Sequence, residues 1–284
     1  MKTFYKGPAP DEKYIQISCP ICAESRVVQL WDLGGYSFQR CIGCGHIYQN
    51  PRPKADDLAR RYDAEYRDYE IKNAYKFFDL MRLGLEDVGF SQLEASLPAE
   101  KRFLDVGCAT GMLVACMRDR GWSSEGVEVC EAAARYGAEK RSITIHTGSL
   151  ETVSFPDDSF DMVHSSHVIE HVSDPNVFLT ETFRILKPGG WCLCATPNTA
   201  SFQARFYGKA WRSAIADHVH LFSLSLLTRL FEQTGFTVLR HKTWGGLAQG
   251  IAPVPIKHCF DRAAKWLGFG DVMIILAQKG SLHD

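Results

Sequence analysis

Cysteine supplies the first chemistry in the chain. Cys19-Pro-Ile-Cys22 and Cys41-Ile-Gly-Cys44 form two C-x-x-C knuckles with 18 residues between them. Tetrahedral zinc requires four thiolates converging at about 2.3 Å, and two tight knuckles supply that convergence. Gly43 and Gly45 ease the second knuckle, and His46 reads as a group beside the metal rather than a ligand. Four cysteines leave no coordination position for water, so the metal's task is structural. A redox dithiol competes with this reading, but it normally opens a helix after a strand in a larger domain. The segment is too short for that, and zinc replaces the core that about 50 residues lack.

A glycine turn supplies the second chemistry. Phe103-Leu-Asp-Val-Gly-Cys-Ala-Thr-Gly111 reads as a strand, a tight turn and a helix start. Such a turn lets a ligand approach the backbone closely. Glu128, 21 residues past Gly107, ends the next strand, where a carboxylate can take both hydroxyls of a ribose. Any adenosine cofactor fits so far. The turn is not G-x-G-x-x-G, however, and Asp105 precedes its first glycine. That charge would repel a pyrophosphate and attract an ammonium. S-adenosylmethionine (SAM) carries an ammonium and no phosphate. A plain tight turn with Asp105 as a cap is the bland alternative, and two acids at these positions argue against it.

A third group is made of histidines. His167, Glu170 and His171 are spaced i, i+3, i+4, which places them on one face of a helical turn after the fourth strand. His171, helped by His167 or His218, is the expected base that orients or deprotonates an acceptor hydroxyl. A cap-and-packing role for Glu170 and His171 stands beside that reading.

The elements that must hold these groups alternate after Pro98. Strands are expected at Phe103–Val106, Gly126–Val129, Ile143–His146, Phe160–Ser165, Trp191–Ala195, Phe236–Lys242 and Val272–Ala277. Helices fall between them: one ends at Gly121, one covers Glu131–Lys140, and one opens at Asp174-Pro175 and closes at Lys187-Pro-Gly-Gly190. Another is capped by Ser223 and ends before Gly235. Repeated βα units imply a mainly parallel sheet with helices on both faces. Upstream, Asn50-Pro-Arg-Pro53 reads as a boundary. The expected division is a zinc ribbon over 1–53, a helical connector or cap over 54–97 rich in Tyr and Phe, and the catalytic domain over 98–284.

Phe103–Gly111, Gly126–Val129, Phe155-Pro-Asp-Asp-Ser-Phe-Asp161, Val168-Ile-Glu-His-Val172 and Arg184-Ile-Leu-Lys-Pro-Gly-Gly190 together resemble the class I SAM-dependent methyltransferases. The closest resemblance is to the branch with the ubiquinone-biosynthesis O-methyltransferases, and it covers about Pro98 to Lys279. It implies an α/β fold, Rossmann-like, with a seven-stranded sheet whose last strand is antiparallel. It further implies that Asp105, Gly107, Cys108 and Gly111 line the methionine moiety and Glu128 the ribose. Ser149 and Leu150 would flank the adenine, and Ser166 would close over the cofactor. The family's middle glycine is Ala109 here, and its adenine-side Asp is Ser149. H-x-x-E-H is also an inverted zinc-protease pattern, but it sits here inside a methyltransferase-like motif. In the ubiquinone-pathway relatives the matching positions resemble a divalent-metal site, with His167 replacing an acid. The head resembles the zinc-ribbon N-termini of many bacterial methyltransferases. Asp217-His-Val-His-Leu-Phe222 resembles a family element that enters the active site from above, and Phe202, Phe206, Tyr207 and Trp211 are expected to cover the acceptor. The long stretch Thr243–Gly270 reads as a second lid or an oligomer contact, so a homodimer is among the expected partners.

Composition narrows the function classes. With 32 basic and 33 acidic residues the chain lacks the basic excess of a nucleic-acid binder. An RNA methyltransferase gripping its substrate with the zinc ribbon is the alternative, but Arg26 and Arg40 are the only basic residues between Cys19 and Cys44. A binding module that has lost its chemistry is a third reading, opposed by the retained Asp105, Gly107 and Glu128. No apolar run reaches the roughly 18 residues of a membrane helix, and Met1 to Asp11 holds no signal-peptide core. Six further cysteines are scattered among apolar neighbours, so a reducing cytoplasm is the expected compartment. The expectation is a SAM-dependent enzyme, with a structural zinc, methylating a hydroxyl of a small glycan, lipid, quinone or secondary metabolite.

Overall fold

The computed structural model describes residues 11–247 and 253–280. The outer ends of the predicted head and catalytic domain, 1–10 and 281–284, and residues 248–252 of the predicted second lid lie outside the described residues.

The head contains β1 (Tyr14–Ile15), β2 (Val27–Asp32), β3 (Ser37–Cys41), β4 (Ile47–Gln49) and β5 (Arg52–Pro53). Helices α1 (Ala55–Ala59), α2 (Ala64–Asp87) and α3 (Phe90–Ala95) follow. The alternating region then runs β6 (Arg102–Val106), α4 (Met112–Asp119), β7 (Ser123–Glu128), α5 (Glu131–Arg141), β8 (Thr144–Thr147), α6 (Leu150–Val153), β9 (Phe160–Ser166), α7 (Pro175–Ile185) and β10 (Leu186–Pro197). It ends with α8 (Phe202–Tyr207), β11 (His220–Leu221), α9 (Leu224–Thr234), β12 (Phe236–Trp244), α10 (Val254–Leu267) and β13 (Val272–Lys279).

Seven strands form one sheet in the order β12-β13-β10-β9-β6-β7-β8. Pairings among β8, β7, β6, β9 and β10 are parallel, and β13 runs antiparallel to both its neighbours. This is the Rossmann-like fold expected, with its last strand reversed. β6 and β9 are buried on both faces because helices cover each side. One core packs Leu104, Val163, Phe178, Leu227 and Phe231 under α7 and α9, and the other packs Phe103, Met162, Leu85 and Met117 under α2 and α4.

Local chemistry sets the helix ends. Asp174 accepts from the amides of Asn176 and Val177 ahead of Pro175, and Ser223 accepts from Leu226. Gly235, in the left-handed conformation at φ 106°, closes α9. One boundary differs from expectation. α7 stops at Ile185, and Lys187-Pro-Gly-Gly190 lies within β10, where the register against β9 shifts between Leu186 and Trp191. A proline and two glycines make a bulge there rather than a loop.

The head is fused to the rest. β11 pairs antiparallel with β4 and completes the four-stranded sheet β11-β4-β3-β2. Gln49 Nε2 donates to the carbonyls of Ala216 and His218 at 2.8 and 3.0 Å. Phe38 and Ile47 share a core with Trp211, Ala214 and Leu221. Trp211, expected over the acceptor, is therefore buried at this junction, and its Nε1 donates to Asp271 at 2.6 Å. Asn50 ties the boundary back to the head through two 3.0 Å bonds with the Ile17 main chain. No helix among the described residues is long and apolar enough to cross a membrane.

Candidate active site

The glycine turn is held from below by its neighbour strand. The amides of Gly107 and Cys108 both donate to the Val127 carbonyl, at 2.8 and 3.0 Å. Gly107 has φ +71°, and a Cβ there would collide with Val168. Ala109, where the family pattern has glycine, also adopts a left-handed φ of 49°. Its amide donates to Glu128 Oε2 at 2.9 Å, and the Cys130 amide donates to Oε1 at 2.8 Å. Glu128 thus props the turn while its remaining lone pairs stay available for hydroxyl donors. Burial pushes its carboxyl up to about 7, against the pull of the amides of Cys130 and Ala109 and with help from the charge of Asp105.

Asp105, Gly107, Cys108, Gly111 and Glu128 lie together around this turn. The Gly148 amide donates to the Glu128 carbonyl at 2.9 Å, which brings the Ser149 segment alongside. The Ser149 amide donates to Thr152 Oγ1 at 2.9 Å as α6 begins. The Leu150 side chain is buried in the core, so only its main chain is left to meet a ligand. Ser166, half-buried, ends β9 beside Ala195. A surface groove of about 680 Å³ beside α6 and α7, lined among others by Phe155, Asn176 and Arg184, includes none of these groups.

The histidine segment is a turn and not the helix expected. His167 has a left-handed φ of 57°, and the His171 amide closes on the Val168 carbonyl at 2.8 Å. The turn still gathers the side chains around Glu170, which meets His167 directly and has His171 and His218 within reach. Glu170, fully buried, lies 3.0 Å from His167 Nδ1 through Oε1 and accepts from Thr196 Oγ1 at 2.8 Å through Oε2. Burial alone would raise its carboxyl, but the His167 hydrogen bond and the neighbouring imidazoles hold it at about 2.

His171 also faces His218. Their rings meet edge to face with centroids 4.8 Å apart. His171 Nδ1 lies 2.8 Å from the Asp217 carbonyl, and His218 Nδ1 lies 2.9 Å from the Ser213 carbonyl. A carbonyl only accepts, so both Nδ1 atoms carry a proton, and the neutral form of either ring presents its lone pair at Nε2. Burial lowers His218 to about 3, with the charge of His171 adding to the effect, so it is neutral at physiological pH. Glu170, His171 and His218 each offer one ligand atom within 4.8 Å of the others.

Sequence reasoning missed a roof and a floor. Tyr62, just before α2, and Tyr66 and Glu70 within it lie close enough to Glu128 for its charge to raise their acidities' midpoints; burial is the larger cause in each case, and Glu70 reaches about 8. Their i, i+4, i+8 spacing was the available signal. The floor is His164, whose Nδ1 lies 2.7 Å from Asp105 Oδ1. A histidine inside the apolar run of β9 was the signal there.

In the head, the sulfurs of Cys19 and Cys44 lie 3.6 Å apart, and those of Cys22 and Cys41 3.5 Å apart. Zinc–sulfur bonds of about 2.3 Å in a tetrahedron separate sulfurs by about 3.8 Å, so the donor set fits that ion. His46 is buried with Nδ1 3.8 Å from Cys19 Sγ, beside the set, and its ring stacks on Tyr48, His220 and Phe222.

The chain is similar to known proteins in sequence and in fold. The model of a family described as a methyltransferase domain matches residues 81–241. A ubiquinone biosynthesis O-methyltransferase of Dinoroseobacter shibae is 34% identical over 196 residues, covering 64% of this chain and 69% of that protein. Its counterpart from Cereibacter sphaeroides is 35% identical over 127 residues, covering 42% of this chain and 51% of the relative. The chain thus spans about half the length of several of the curated relatives it matches. A Thermotoga maritima crystal structure, described as a SAM-dependent methyltransferase and possible histamine N-methyltransferase, superposes with a TM-score of 0.51 at 25% identity, covering 75% of this chain and 98% of that one. The chain belongs to the class I SAM-dependent methyltransferases.

Proposed function

We propose that the protein transfers the methyl group of SAM to a hydroxyl of a small molecule of the glycan, lipid, quinone or secondary-metabolite kind. The observation that carries this reading is the His171–His218 pair, with both Nδ1 atoms facing main-chain carbonyls. SAM, when bound, supplies a methyl group already activated on a positive sulfur, so the remaining task is to aim a nucleophile. Asp105, Gly107, Cys108 and Gly111 would hold its methionine end and Glu128 its ribose. Ser149 and the main chain of Leu150 would border the adenine, and Ser166 would close the cofactor side. Nε2 of His171 would take the proton from the acceptor hydroxyl, and neutral His218 would orient it. His167, half-exposed and bound to Glu170, is left an outer, orienting role. Cys19, Cys22, Cys41 and Cys44 would hold one structural zinc.

The test is incubation with methyl-labelled SAM and the fractions of a cell extract. Label entering ribonuclease-resistant small molecules is expected, and label confined to RNA would overturn the reading. Arg26, one of the two basic residues between the knuckles, is already paired with Glu24 at 2.7 Å, which leaves the head poor in charge for RNA. Metal-assisted deprotonation is a second reading, favoured by the convergence of Glu170, His171 and His218. It requires activity to fall with a chelator and return with magnesium, which the histidine-base reading does not.

A further inference from the structure

Asp105 and His164 are Cα partners on the neighbouring parallel strands β6 and β9, so their side chains leave the sheet on the same face. They are 2% and 1% exposed, with His164 Nδ1 2.7 Å from Asp105 Oδ1. The Phe103 ring, two residues earlier on β6, stacks against the imidazole with centroids 6.4 Å apart. A histidine at this depth is costly unless its polar atoms are bonded, and the glycine-turn chemistry gives it no task.

We infer that His164 is a positioning residue: its Nδ1–H holds one oxygen of Asp105 so that the other is aimed at the aminoacyl end of the cofactor. The inference rests on the SAM reading above. A carboxylate oxygen accepts, so the bridging proton is the one on the imidazole Nδ1. Without that bond the carboxylate is free to turn about its last torsion, which is broad and roughly two-fold. The ammonium then loses a pre-aimed partner, while the adenosine end, held by Glu128, loses nothing. His164 therefore acts on one half of the ligand.

That selectivity is the test. Calorimetry on the full chain would compare SAM, its demethylated product and 5′-methylthioadenosine, which lacks the aminoacyl end. His164→Leu should weaken the first two roughly ten- to hundredfold and leave methylthioadenosine within a factor of about two. His164→Asn, whose amide nitrogen stands where Nδ1 stood, should restore most of the loss. His164→Gln keeps a polar amide but displaces the donor by a bond length, so it should show the selective loss even if the leucine variant does not fold. Equal weakening of all three ligands, or of none, overturns the inference. Wild-type protein that binds none of them overturns the cofactor reading itself, and this inference with it.

Discussion

Glu128 should make the ligand-free protein less stable as the pH rises through neutrality. Its carboxyl titrates at about 7 in the fold against an ordinary 4.5, chiefly because it is buried. The folded state therefore binds its proton more tightly than the unfolded chain does. The stability this contributes is fully present below 4.5 and is lost as the pH rises through about 7. At ~1.36 kcal/mol per unit, the loss between about pH 5 and about pH 8 is on the order of 2–3 kcal/mol. Glu128→Gln removes the titration. It also sets an amide against one of the two main-chain N–H groups that now donate to the carboxylate, so its absolute stability drops by ~1–3 kcal/mol. The informative quantity is the slope: urea denaturation at both pH values should show the wild type losing roughly 2–3 kcal/mol more than the variant. SAM should bind more tightly as the pH rises over the same range, because ribose hydroxyls donate to the ionised form. Equal slopes in the two proteins, together with a pH-independent SAM affinity, would refute the reasoning.

His171→Ala should keep SAM affinity and lose roughly 10²–10⁴-fold in turnover, the usual worth of a general base; a wild-type rate on the true acceptor would make the histidine structural. Purified protein should contain about one zinc per chain by elemental analysis. Cys41→Ser should remove it and lower the melting temperature of the whole molecule in one calorimetric transition, since β11 joins the head to the catalytic domain; two separate transitions would show an independent head. Gly107→Ala meets both a left-handed φ and the Val168 side chain. It should abolish measurable SAM binding, which isothermal titration would check, and an unchanged affinity would mean that the turn does not touch the ligand.

Much of the sheet was legible because apolar runs alternate with helices whose ends are marked by residues with one physical task, such as Asp174 with Pro175, Ser223 or Gly235. The glycine turn and Glu128 were legible for the same reason: both belong to a single βαβ unit, within which spacing determines geometry. The arrangement of the candidate histidines was not. The spacing of His167, Glu170 and His171 suits a helix and a turn alike, and the left-handed φ of His167 chose the turn. The approach of His171 to the Asp217 carbonyl, beside His218, crosses 46 residues and depends on where the segment after β10 returns. β11, two residues long, carries no periodicity to detect, yet it decides that Trp211 is core rather than cover.

The short strand β11 also imposes an order on synthesis. The cysteine knuckles leave the ribosome early, but Tyr48 must wait for His220, its partner across the β4–β11 pair. At about 5–20 residues per second that interval is on the order of ten to thirty seconds. Throughout it the nascent head presents β4 as an open sheet edge, a place where unrelated strands can add. Early metal capture by the four cysteines would hold the three-stranded meander in register until its own fourth strand arrives.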